Sequence, residues 1–105
     1  YQKEYFKIIL LDTKNNVKKI SEISVGSLSS SIVHPREVFY EAVVNLASSI
    51  ILVHNHPSGE CEPSNEDIVL TNRLDECGKI LGIKILDHII IGDGVYFSFK
   101  EEGLL

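Results

Sequence analysis

The apolar, β-branched run Ser49-Ile-Ile-Leu-Val-His54 stops abruptly at Asn55-His56-Pro57-Ser58-Gly59, and that junction constrains the chain more than any other stretch. The run has the composition of a buried strand. Side chains two apart on a strand share a face, so His54 and His56 aim the same way while Asn55 turns to the other side. Pro57, Ser58 and Gly59 then end the strand. Pro63-Ser64-Asn65-Glu66-Asp67 opens a helix, with Ser64 as N-cap and Asp67 three residues on, as in a capping box. The loop can fold Asp67 back toward the two histidines. Two imidazoles and a carboxylate leave one tetrahedral position of a zinc ion open, the pattern of catalytic rather than structural zinc. Alone, a histidine on an apolar strand is usually packing, and Ser64 with Asp67 is usually only a cap. Packing does not explain all of these within fourteen residues.

The 105 residues are enough for one domain with its own core, and 44% hydrophobic content excludes a disordered segment. A net charge of -5 gives no cationic stripe for a phosphate backbone, so direct nucleic-acid binding by this domain is not expected. No apolar run approaches the ~20 residues of a membrane span and no charged-then-apolar leader is present, so the expectation is a cytoplasmic protein without membrane contact. Cys61 and Cys77 are the only cysteines, unsuited by spacing to a paired zinc motif, and read as free thiols. Cys61 lies inside the loop, where a thiolate would compete for zinc if the loop bent inward.

Taken in order, Tyr5 to Leu11 reads as a strand, and Asp12-Thr-Lys-Asn-Asn16 closes a hairpin onto a second strand from Val17 to Ile23. A looser passage from Gly26 to Ser31 leads to a short strand around Ser31 to Val33. Pro35 suits the first turn of a helix, with Val38/Phe39, Ala42/Val43 and Leu46/Ala47 at helical spacing. The strand Ser49 to His54 follows, then a helix from about Ser64 to Leu81. Leu70, Leu74, Cys77 and Leu81 form its apolar stripe and Gly82 its terminator. Ile83 to Ile91 and Val95 to Phe99 are further strands joined around Gly92-Asp-Gly94. The order β-β-α-β-α-β-β implies a mixed sheet with helices packed on it.

A hydrolytic zinc site also needs a proton acceptor, and Asn55 stands where the helical zinc protease motif has its glutamate. The candidates are Glu4, Glu22, Glu37, Glu41, Glu60, Glu62 and Glu66. His54-x-His56-Pro57, the seven residues Pro57 to Pro63, then Ser64-x-x-Asp67, resemble the JAMM (MPN+) metalloprotease motif. His34-Pro35-Arg36-Glu37-Val38, the segment Ala47 to Asp67, Leu86-Asp87-His88, Gly92-Asp93-Gly94 and the ending Ser98 to Leu104 resemble RadC-type proteins within that family, over essentially the whole chain. The resemblance implies a three-layer α/β/α sandwich with a mixed β-sheet, related to the cytidine deaminases. It implies that residues 1-105 are a single domain from the C-terminal part of a longer protein. It also implies one zinc ion held by His54, His56 and Asp67, Glu4 on the first core strand as general base, and Ser64 as hydrogen-bond donor to the oxyanion. Glu22 is the runner-up for the base. Asp87 and His88 read as buried strand residues rather than as supports of the metal ligands.

The expected function is zinc-dependent hydrolysis of a peptide or isopeptide bond in a protein or peptide substrate. Ubiquitin cleavage is not carried over, because between Leu86 and Val95 there is room only for a tight connection. The alternative is a non-enzymatic RadC-type module of DNA repair or mobile-element biology with a structural metal. Nucleoside deamination is disfavoured, because those enzymes have His-x-Glu and Pro-Cys-x-x-Cys, and this chain has neither.

Overall fold

A computed structural model describes residues 3–26 and 33–105. In chain order the elements are β1 (Glu4–Leu11), β2 (Val17–Gly26), α1 (Pro35–Val44), β3 (Ser49–Asn55), α2 (Asn65–Leu81), β4 (Lys84–Ile91) and β5 (Tyr96–Ser98). The strands form one sheet in the order β2-β1-β3-β4-β5. β1 runs antiparallel to both β2 and β3, β3 and β4 are parallel, and β5 returns antiparallel to β4. The chemistry of the connections sets that mixture: β1 and β2 are joined by a short turn, whereas β3 and β4 need the α2 crossover to run in parallel. The turn is held by Asp12, whose Oδ1 accepts the amides of Lys14 and Asn16 at 2.8 and 2.9 Å.

The expected α/β class and mixed sheet are observed, while among the described residues the two helices share one face of the sheet, so only two layers of the expected three-layer α/β/α sandwich are seen. Phe6, Ile8 and Leu10 of β1 alternate with less buried neighbours, and with Ile50 and Leu52 of β3 they form the floor of the core. Val38, Phe39 and Ala42 of α1 and Leu74 of α2 pack in the same cluster, so both helices lie on that face. The other face carries Ile9, Ile51, Val53 and Ile89, all only partly buried. The short strand expected at Ser31 to Val33 falls outside the described residues except for Val33, which joins the core.

Two helical stripes are shorter than their spacing predicts. α1 ends at Val44, and Leu46 takes a left-handed φ of 53° that carries it into solvent, while Val43 lies on the flank. At the far end of α2, Leu81 is also exposed, because Gly82 turns the chain (φ 72°) straight back into β4. Gly78 makes that return close: a Cβ there would stand 2.3 Å from the Ile83 carbonyl oxygen. No described helix is long and apolar enough to cross a membrane.

Candidate metal centre

Sheet register assembles the site. The β1–β3 ladder ends with Phe6 opposite His54, so Glu4, two residues before Phe6, lies on the His54 face at the same end of the sheet. His54 is the penultimate residue of β3. His56 follows the strand, tied by its amide to the Ile91 carbonyl at 2.9 Å. The two imidazoles meet edge to face with centroids 4.9 Å apart. Across the loop, Ser64 caps α2. Its Oγ accepts the Asp67 amide at 3.1 Å and Asp67 Oδ2 accepts the Ser64 amide at 2.9 Å, a complete capping box. The cap therefore fixes the carboxylate that faces the histidines.

The resulting cluster is tight. One ligand atom each from His54, His56 and Asp67 can be chosen so that all lie within 4.8 Å of one another. His56 Nε2 stands 3.1 Å from Asp67 Oδ2, and His54 Nδ1 lies 3.4 Å from Asp67 Oδ1 without forming a hydrogen bond. His56 Nδ1 faces the Glu60 carbonyl oxygen at 3.1 Å and Nε2 faces Asp67 Oδ2, so the ring is held at both nitrogens with Nε2 turned toward the carboxylate. Burial pushes the Asp67 carboxyl up, but the Ser64 amide and the two histidines outweigh it and hold the group below the usual aspartate value. An ionised carboxylate, an imidazole nitrogen turned toward it and a buried His54 ring nitrogen with no hydrogen-bond partner among the described residues together suit a divalent metal ion.

Glu4 joins this group. Its Oε2 is 3.3 Å from His54 Nε2, and its side chain is 15% exposed. Glu22 is excluded from the site by register: it pairs with Lys7, whose side chain points to the opposite face. Glu41 binds Lys19 and Ser21 instead, and Glu37, Glu60, Glu62 and Glu66 are exposed. Ser64 sits beside Asp67; since its oxygen already accepts a bond, its hydroxyl proton is the part available to a ligand. Cys61 is a free thiol outside the cluster, and Cys77 packs against the core.

Three supports of the site were not read from the sequence. Asn55 is buried, and its side chain bonds the backbone on both sides of Glu4, at Lys3 just before β1 and at Tyr5 within it. A polar residue with poor strand propensity between two histidines was the available sign. Thr71, one turn after Asp67, donates its hydroxyl proton to the Asp67 carbonyl at 2.7 Å, and therefore accepts from His88 Nδ1 at 2.6 Å. His88 is thus tied to the metal-side helix, while Asp87 bonds Ser98 and the Lys100 amide and secures the C-terminal turn. The third support is the β4–β5 turn. The Asp93 amide donates to the Gly59 carbonyl at 2.8 Å, and a Cβ on Gly92 would come within 2.4 Å of that oxygen.

Comparison with known proteins agrees with this geometry. The family model described as "RadC-like JAB domain" matches residues 1–104. A UPF0758 protein of Clostridium acetobutylicum is 64% identical over 105 residues, which is 100% of this chain and 46% of that protein. UPF0758 proteins of Clostridium tetani and Clostridioides difficile are each 60% identical over 104 residues, 99% of this chain and 46% and 44% of theirs. The chain thus spans less than half the length of these relatives. With a family match over nearly every residue and a His54-His56-Asp67 cluster that fits a JAMM-type metal site, the chain belongs to the RadC-like JAB domains.

Proposed function

We propose that the domain is a zinc-dependent hydrolase of peptide or isopeptide bonds, with His54, His56 and Asp67 as metal ligands, Glu4 as general base and Ser64 as oxyanion donor. The observation that carries this reading is Glu4 Oε2 at 3.3 Å from His54 Nε2, a carboxylate held against the ligand cluster without belonging to it. Bound zinc would supply a Lewis acid that lets water act as a nucleophile near neutral pH. The protein's own part follows from its atoms. Glu4 Oε2 takes the proton of the attacking water and returns it to the leaving amine nitrogen, which needs one acid–base group close to both. The Ser64 hydroxyl, its oxygen engaged by the Asp67 amide, donates to the carbonyl oxygen as negative charge develops there. His56, oriented by the Glu60 carbonyl, and Asp67, oriented by its cap, enter the reaction already in place. The domain is proposed to work as the metal-bearing part of a longer protein.

Metal analysis and peptide hydrolysis test this together. The purified protein should hold about one zinc per chain, lose it in His54→Ala and Asp67→Ala, and keep it in Glu4→Gln while losing hydrolysis. Undiminished zinc in both ligand variants would remove the site. Zinc binding without turnover would instead favour a RadC-type accessory module with a structural metal.

A further inference from the structure

The β1–β3 ladder stops at Phe6 opposite His54, and Glu4 lies beyond it. On its other side β1 is still paired, with Glu4 opposite Gly26 of β2. The segment carrying the candidate base is therefore held by backbone pairing along one edge only. Strand ends held in this way fray, and the side chains they carry move with them.

Asn55 fills the missing edge. Its Oδ1 accepts the Tyr5 amide at 2.6 Å and its Nδ2 donates to the Lys3 carbonyl at 3.0 Å. These two backbone groups flank Glu4 on either side, so one planar amide fixes the peptide groups before and after it. The carboxamide is suited to the task because it offers an acceptor and a donor from one rigid group, which neither a hydroxyl nor a carboxylate does in the same geometry. Asn55 is 5% exposed and both bonds are partly buried, which limits competition from water.

We propose that Asn55 is the positioning residue of Glu4, a side-chain extension of the β1–β3 ladder that holds the base against the metal ligands. The proposal rests on the hydrolase reading for what Glu4 does, but not for where Glu4 stands. His54 and His56 point to the metal side while the residue between them reaches through the strand edge to β1. The His-Asn-His tripeptide thereby sets the ligands and the base in one register, and a shift of either is a shift of both.

The test compares the zinc-loaded protein with Asn55→Ala, Asn55→Asp and Glu4→Gln, and with the double variant Glu4→Gln/Asn55→Ala. Crystal structures and amide exchange report position independently of turnover. Asn55→Ala should release Glu4 from His54, lower Tyr5 amide protection by at least about tenfold, and leave zinc affinity within a few-fold of wild type. Asn55→Asp keeps the acceptor for Tyr5 and loses the donor to Lys3, so it should fall between the two; it also serves if Asn55→Ala does not fold. With a fluorescence-quenched hexapeptide library as probe, Asn55→Ala should lower kcat on the order of 10²-fold with KM unchanged. In the Glu4→Gln background the same change should have no further effect. Glu4 remaining at His54 in both Asn55 variants, or equal rate losses with and without Glu4, would overturn the proposal. A wild-type protein that holds zinc but never turns over would overturn the hydrolase reading alone, since the structures and the Tyr5 amide still decide the clamp.

Discussion

Replacing His88 by glutamine isolates the acid sensitivity that this fold builds into its core. His88 is fully buried, stacked on Phe99 with centroids 4.6 Å apart, and its Nδ1 donates a hydrogen bond to the Thr71 hydroxyl oxygen. Its Nε2 has no hydrogen-bond partner among the described residues. Burial above all, with the neighbouring His54 adding to it, lowers its pKa from 6.5 to about 3. The native state thus keeps His88 neutral while the unfolded chain takes up a proton as pH falls below 6.5. Because the unfolded state binds more protons in that window, stability is present above it and declines as pH drops, until the native group itself titrates. Integrating this difference from pH 7 to pH 5 gives about 2 kcal/mol lost to His88 alone. Urea unfolding of the metal-free protein at several pH values measures it directly. His88→Gln, which can still donate to Thr71, should be less stable at pH 7 yet lose about 2 kcal/mol less on the way to pH 5. Parallel decline of the two proteins would refute the assignment of a neutral, proton-excluding His88.

Other substitutions test the supports of the site and the close approaches of the backbone. Gly92→Ala should weaken zinc binding by roughly 10-fold or more, since its Cβ would push the Gly59 carbonyl at the start of the metal loop; competition with a chromophoric chelator reads this. Gly78→Ala should destabilise by about 1–3 kcal/mol even though alanine is the better helix former, because the new methyl meets the Ile83 carbonyl; a gain in melting temperature would contradict that contact. Ser64→Ala should cost about 1 kcal/mol through loss of the cap to the Asp67 amide, and under the proposed mechanism a further rate loss on the order of 10²-fold or more, seen by comparing urea midpoints with kcat. Leu46→Gly should be neutral or stabilising by a few tenths of a kcal/mol, as it relieves a left-handed φ at an exposed position that gives up little packing.

The fold was legible where local chemistry and global need coincide. Ser49 to His54 reads as a strand because its apolar run, its length and the Pro-Gly break after it all agree, and Ser64 with Gly82 brackets α2 through two well-defined caps. The His54-His56-Asp67 cluster was legible for the same reason, since a strand period and a capping box are both short-range rules. Glu4 was reached only through resemblance. Nothing near it in sequence reports on His54, and the link is a strand pairing between distant segments. Leu46 and Leu81 depart from their expected stripes because apolar spacing does not report where the chain turns away from the core, at the left-handed Leu46 itself and at Gly82 directly after Leu81. Asn55 turns away from the histidines as its strand period predicts, but its partners lie at the start of β1 and just before it, where spacing rules carry no information.

The two halves of the site also differ in how far the chain must travel to make them. His56 and Asp67 are 11 residues apart, whereas Asn55 and Tyr5 are separated by 50. By loop-closure entropy, the second contact costs about 1.3 kcal/mol more to close than the first. The His54-His56-Asp67 cluster can therefore take shape within one strand-loop-helix segment, while Glu4 joins it only when the amino-terminal hairpin docks on β3. Under the proposed mechanism, a chain whose hairpin has not docked has its candidate ligands together without the proton acceptor, so hydrolysis waits for the sheet to be completed.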